Sequence, residues 1–349
     1  MTNALSKLLE TRDWLLTDGA TGTNLFNMGL TSGDAPEIWN DEKPENIKKL
    51  YRLAVDAGSD IFLTNSFGGN ASRLKLHDSA HRVRELNRKA AEIGREVADY
   101  AGRPVIVAGS VGPTGDIMEP VGELTHANAV EMFQEQAEGL KEGGADILWV
   151  ETISAPEEFK AAAEAFALAD MPWCGTMSFD TAGRTMMGVT STDLVNLVEG
   201  LPNAPVAFGA NCGTGSPDML RTVLGFTAQG SERPVIAKGN AGIPRYSDGE
   251  IIYDGTPELM ARYAEMALDA GARIIGGCCG TMPEHLMAMR NALENYQKST
   301  RPTLELIVDK IGPFSSESDG TEQKSCCADG TCGSSEAGGR RSSRRRRRS

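Results

Sequence analysis

The chain has 349 residues, 40% hydrophobic and 24% charged, the composition of a soluble globular protein with one large domain or two small ones. The formal net charge is −13, and because the seven arginines of residues 340–349 contribute +7, residues 1–339 carry about −20, which argues against nucleic acid as a partner of the folded part. No apolar run approaches the ~20 residues that cross a bilayer, and the first twelve residues lack the basic start and apolar run of a signal peptide, so a cytoplasmic, membrane-free protein is expected.

Taken in chain order, short β-rich apolar runs fall at 14–17, 60–64, 104–108, 146–150, 172–177, 205–209, 234–237 and 272–275. Helical patterns fall between and after them, at 44–57, 79–100, 127–142, 156–169, 191–199, 217–228, 256–269 and 283–295. Several of these end at a small-residue turn, Ala57-Gly58, Gly143-Gly144 and Ala270-Gly271, where glycine can take the left-handed conformation that stops a helix. Eight strands alternating with eight helices predict a parallel sheet covered by helices, and the count fits a closed (β/α)8 TIM barrel over residues 1–312 better than an open doubly wound sheet. No GxGxxG follows the first run, which weighs against dinucleotide binding. Past Pro313 the chain is rich in Ser, Gly and charge and nearly free of large apolar residues, so 313–349 is expected to be a disordered tail.

Polar residues punctuate the ends of the runs: Asp18, Thr64-Asn65, Ser110, Glu151, Ser178, Asn211-Cys212, Lys238 to Asn240, and Cys278-Cys279. In a barrel all of these converge on the C-terminal face, where active sites are built. Cys212 lies in GANCGTG after the sixth run and Cys278-Cys279 lie in GGCCGT after the eighth, so their loops can meet. In a reducing compartment such thiols point to metal rather than disulfides. Three thiolates at one rim suit a tetrahedral Zn2+ with one open position. Buried inert thiols are the plain alternative, and for Cys174, inside the fifth run, that alternative is preferred. His77, His81, His126 and His285 show no metal-binding spacing. Cys326, Cys327 and Cys332 in the tail suggest at most a weak second thiol site.

By simple charge count three thiolates leave a divalent ion at about −1, a poor Lewis acid for hydrolysis. Such a centre still takes the proton from a coordinated thiol and leaves an electron-rich sulfur, so the implied chemistry is thiol alkylation by displacement at carbon. A structural metal would normally have four protein ligands.

The motifs TDGATGTNL, TNSFGGN, GSVGPTG, VET, GANCGTG, KGNAGIP and GGCCGT together resemble those of the zinc-dependent homocysteine S-methyltransferases, from Asp18 to about Asn295. The resemblance implies a (β/α)8 barrel, homocysteine as methyl acceptor with methionine as product, and Cys212, Cys278 and Cys279 as zinc ligands. It also implies Asp18 and Glu151 as the carboxylates that hold the amino group of homocysteine, in keeping with the need of an ammonium for acidic partners. Backbone amides of the glycine-rich Gly19 to Gly22 and Gly109 to Gly115 segments are expected to receive the substrate carboxylate, with Ser110 and Gly112 singled out. The side-chain oxygen of Asn240 is expected to approach the zinc when substrate is absent, or else to stabilise a turn.

Betaine and a methylated corrinoid protein are the expected donors, with S-methylmethionine and a non-catalytic zinc module as alternatives. A quaternary ammonium favours an aromatic cage, and the betaine enzymes that the chain resembles carry aromatics where Gly68 and Thr152 stand here, with Trp39 and Phe67 the aromatics at hand. VETIS and KGNAGIP look closer to the homocysteine module of cobalamin-dependent methionine synthase. A homo-oligomer is left open.

Overall fold

The computed structural model describes residues 3–247 and 250–320, without the side chains of 244–252. Cys326, Cys327, Cys332 and the arginine block lie outside the described residues.

Eight parallel strands form the barrel: β1 (Leu15–Leu16), β2 (Ile61–Leu63), β3 (Ile106–Val111), β4 (Ile147–Ile153), β5 (Trp173–Met177), β6 (Ala207–Cys212), β7 (Val235–Gly239) and β10 (Ala272–Gly277). Hydrogen bonding runs β1-β10-β7-β6-β5-β4-β3-β2, and a parallel bridge between Thr17 and Ile61 joins the two ends of that order. This is the (β/α)8 barrel expected from the alternation of runs and helices. Gly58, Gly144 and Gly271 all take positive φ where the helices before them stop, as their sequence positions predict.

Several strands run further than the apolar runs that announce them. β3 includes Ser110, β4 runs through Glu151, and β6 ends on Cys212. Backbone pairing continues after the inward side chains have turned polar, so functional residues occupy the last rungs of the ladder rather than the loops beyond it. A two-stranded antiparallel hairpin, β8 (Pro244–Ser247) with β9 (Glu250–Tyr253), interrupts the connection between β7 and the helix Pro257–Ala270. Hydropathy gives no sign of it.

Polarity rises along the barrel axis. At the N-terminal end the interior is filled by Leu15, Ile61, Ile106, Ile147, Ile236 and Ile274, and Leu5 and Leu9 of the helix Ala4–Thr11 plug the opening. Trp149 sits above them with its indole N–H donating to Thr176 Oγ1 at 3.2 Å. Cys174, expected to be an inert core thiol, is fully buried in this cluster, and burial pushes its thiol up. The larger apolar layer lies between sheet and helices, where Trp173 meets Phe159 and Phe166 edge-on at 5.3 and 5.7 Å. Among the described residues no helix is long and apolar enough to cross a membrane.

Residues 313–320 do not leave the body at Pro313. Phe314 lies under the Arg221 guanidinium, 4.4 Å from its ring centroid, Arg221 donates to Ser316 O at 2.8 Å, and the Ser315 N–H donates to Asp218 Oδ2 at 3.0 Å. Asp218 and Arg221 form a buried ion pair beneath this strap, so the described chain stays attached to the barrel through Gly320.

Candidate metal and substrate site

β6 and β10 flank β7, so the chain ends that carry the three rim cysteines are separated by one strand. Cys212, Cys278 and Cys279 bring their sulfurs within 4.8 Å of one another, and the Cys212 and Cys279 sulfurs are 3.6 Å apart. Among the described residues this is the only group of three or more metal-ligating side chains so placed. Cys212 stands at φ 63°, a left-handed conformation uncommon for a residue with a side chain. It is held there by the ladder pairing of Cys212 with Gly239 on one side and the turn at Gly213 on the other. Gly277 admits the return of its own loop: a Cβ there would lie 2.2 Å from the Thr281 hydroxyl.

The three thiols share charge unequally. Hydrogen bonds from Cys212 and Cys278 hold the Cys279 thiolate far down, at about 3. Cys212, which donates to its neighbours and would add a second negative charge beside them, is driven up. A divalent cation would displace the shared protons, as metal binding to thiols requires. Soft sulfur donors in this number, with the site open to the barrel mouth, fit zinc with a fourth position for a thiol.

Polar groups around the sulfurs fix the loops. The Asn240 Oδ1 accepts from the Cys279 N–H at 3.1 Å and its Nδ2 donates to Gly213 O at 2.8 Å, so one side chain ties the two cysteine loops together. Of the two expectations for Asn240, these contacts are those of a side chain that stabilises the turn. Asn211 donates to Cys278 Sγ at 3.8 Å and to Thr152 Oγ1 at 2.7 Å, and its oxygen accepts from the Thr152 N–H and the Thr176 hydroxyl, each at 2.8 Å. Thr152 is thereby clamped at φ 61°, an outlying backbone state for a β-branched residue. Pairing between β4 and β5 shifts register between Val150 and Ile153, and this irregularity re-aims Glu151 toward the mouth.

The Glu151 Oε1 accepts from the Ser110 hydroxyl at 2.5 Å. Burial pushes its carboxyl up to about 7; Lys238 opposes the shift, and Cys278 and Asp18 add to it. Asp18 is buried at the end of β1, where its Oδ1 accepts from Lys238 Nζ at 2.5 Å and its Oδ2 from the Leu63 N–H at 2.8 Å. Two of the amides proposed for a substrate carboxylate are already used: Ser110 N–H donates to Thr64 Oγ1 at 3.0 Å and Gly112 N–H to Phe67 O at 2.9 Å. Ser110 contributes its hydroxyl instead, and a Cβ at Gly112 would lie 2.7 Å from the Phe67 ring. Trp39 is 4% exposed, packed in the cluster outside the sheet with the Lys43 ammonium 4.0 Å from its centroid, so it does not face the mouth.

Sequence reading brought Cys212, Cys278, Cys279, Asp18, Glu151, Ser110, Asn211 and Lys238 to one face but gave Asn211 and Lys238 no role, and it missed the contributions of Thr152 and Tyr253. Lys238 was visible as a lone base closing an apolar run, and Asn211 as the residue before Cys212. Tyr253, whose hydroxyl hydrogen-bonds to Cys279, sits on the unannounced hairpin and gave no signal.

The profile of the family described as homocysteine S-methyltransferase matches residues 15–293. The chain is 32% identical over 300 residues to methionine synthase of Mycobacterium tuberculosis and 31% over 301 residues to that of Mycobacterium leprae, covering 81% and 82% of this chain. It spans about a quarter of the length of these relatives, 25% in each case. Among solved structures it is similar to the metallated form of the homocysteine methyltransferase MmuM from Escherichia coli, with TM-score 0.69 and 26% identity over 83% of this chain and 99% of that one. A profile match over most of the barrel and relatives above 30% identity lead to one assignment: this chain belongs to the homocysteine S-methyltransferase family.

Proposed function

We propose that this protein transfers a methyl group to the sulfur of homocysteine, giving methionine, with Cys212, Cys278 and Cys279 as ligands of a Zn2+ ion. The observation that carries the reading is the convergence of three sulfurs within 4.8 Å at the barrel mouth that also holds Glu151, Asp18 and Lys238. When bound, zinc supplies acidity toward an incoming thiol and keeps the resulting thiolate nucleophilic.

The chain's own residues do the rest. Glu151 receives the substrate ammonium, with Ser110 fixing one of its oxygens. Asn240 and Asn211 hold the cysteine loops, and so would keep the three sulfurs in place to hold the ion. Partial burial of Glu151 strengthens its hold on a cation. The four free thiols among the described residues suit a reducing cytoplasm.

The donor is betaine or a methylated corrinoid protein. The test is single-turnover methyl transfer by the zinc-loaded protein to homocysteine, with betaine, S-methylmethionine and a methylated corrinoid protein offered in turn. Transfer from one of them, lost to the uncatalysed level in Cys278→Ala while the fold is retained, is the expected result. Full activity of Cys278→Ala would sink the catalytic role of the thiols, and no transfer from any donor would leave a zinc-binding module without this chemistry.

A further inference from the structure

A cation already stands in the site. Lys238 leaves β7 one strand from each cysteine loop, is 2% exposed, and points its ammonium at Asp18 with Trp149 5.6 Å away. Burying an ammonium is costly unless it is paired. Barrel packing does not call for one, because the neighbours of Lys238 on its strand, Ile236 and Ala237, are apolar and fully buried.

The two carboxylates beside it are in different states. Asp18 is saturated: Oδ1 accepts from Lys238 and from Thr17 Oγ1 at 3.0 Å, and Oδ2 accepts from Leu63. Glu151 has Ser110 on Oε1, and no hydrogen bond to Oε2 is made among the described residues. Two carboxylates and one lysine leave a single negative charge without a partner, which one substrate ammonium balances. Without the lysine, two carboxylates, one buried and one partly buried, would confront that one ammonium.

We propose that Lys238 is a positioning residue for the amino group of the substrate: by pinning Asp18 and setting its charge beside Glu151, it leaves Glu151 as the one carboxylate that receives an ammonium. The inference rests on the reading of an amino-acid substrate given above. The charged and titratable groups facing Glu151 are Asp18 at the end of β1, Lys238 on β7, and Cys278 and Cys279 after β10. Ser110 on β3, Thr176 on β5 and Asn211 on β6 add neutral donors. Of the charged groups only Lys238 favours the ionised form of Glu151, and burial, Cys278 and Asp18 all oppose it. Removing the lysine therefore moves protonation of Glu151 to higher pH, and ammonium binding at neutral pH weakens with it.

The probe is L-methionine, which carries the substrate ammonium and no titrating thiol. Its Kd is measured against pH for the zinc-loaded full chain and for K238M, K238R and the double variant D18N/K238M, which leaves no unpaired charge should K238M fail to fold. An opposite charge at this range moves a carboxyl by about one pH unit or more. K238M is expected to bind about tenfold more weakly at pH 7, the deficit closing as pH rises, whereas K238R and the double variant, in which Glu151 is again the one carboxylate without a partner, keep a midpoint near that of wild type. A uniform loss at every pH or an unmoved midpoint in K238M, or a double variant that binds methionine no better than K238M, would show a merely structural lysine and overturn the proposal. A wild-type protein that binds neither methionine nor homocysteine would instead overturn the amino-acid reading beneath it.

Discussion

Each end of the barrel buries a carboxylate among bases, and the two arrangements serve opposite ends. At the N-terminal face Asp60, just before β2, accepts from Arg12 and Arg103 on Oδ1 and from Arg290 and the Leu16 N–H on Oδ2, at 2.5, 3.4, 3.0 and 3.0 Å. At the C-terminal face Asp18 is likewise filled, but Glu151 keeps an oxygen to spare and three thiols converge beside it. The lower cluster closes a weak seam, since β1 spans only two residues and meets β2 through a single bridge. Asp60 binds side chains that precede β1 and β3 and one from the helix Pro283–Asn295, holding that seam shut. Satisfied charge builds stability, and charge left over builds a binding site.

The sharpest way to break this comparison is at Asp60. Asp60→Asn leaves three guanidiniums around a neutral amide. Loss of one partner from a buried ion pair costs about 3–5 kcal/mol, and urea unfolding should show that loss, while Zn2+ affinity per folded molecule stays unchanged. If the variant were as stable as wild type, the seam would be held by something else.

Next in size is Asn240→Ala, which unties the two cysteine loops. Groups that orient metal ligands typically contribute 10–100-fold to affinity. Competition with a chelator should show Zn2+ binding weakened by about that factor, with little change in thermal stability. Equal losses of both would place Asn240 with the stabilising residues of the lower face.

How much of this was open to sequence reading follows from the range of each signal. The strand-helix alternation is local and periodic, so the eight strands were legible. Cys278-Cys279 and Cys212 were legible because adjacent thiols flanked by glycines are rare as core. Asp60 was not, for its partners stand 48, 43 and 230 positions away and nothing local distinguishes it from any acid opening a strand. The twist that aims Glu151 depends on a register shift between strands, and two of the amides expected for a carboxylate were already used by Thr64 and Phe67. Both are facts of pairing, which hydropathy does not encode.

The comparison also predicts opposite signs for the same kind of substitution. Glu151 titrates at about 7, above its unfolded value. Between roughly pH 4.5 and 7 the folded form therefore holds the extra proton, and stability falls as pH rises through that window. Glu151→Gln removes this cost, so at pH 8 the substrate-free variant should melt higher than wild type, with the gain vanishing near pH 4, while methionine binding is lost. Asp60→Asn should melt lower at both. A Glu151→Gln protein destabilised at pH 8 would mean that its carboxylate is fully satisfied and is no receptor for an ammonium.

The smallest expected effect concerns the strap that carries the chain past Pro313. Phe314 contributes a half-buried ring against Arg221, and Ser315 reaches the hydroxyl of Thr214, two residues from Cys212, at 3.1 Å. A cation–π contact of this exposure is worth about 0.5–1 kcal/mol, so Phe314→Ala should lower stability by about 1 kcal/mol. Because Cys212 is also held by its ladder pairing with Gly239, the loop does not depend on the strap, and kcat should be unchanged. A fall in Zn2+ affinity on Phe314→Ala would show otherwise: the strap would then belong to the upper, functional end of the barrel, and the cysteine loop would need support from a segment about a hundred residues downstream of it.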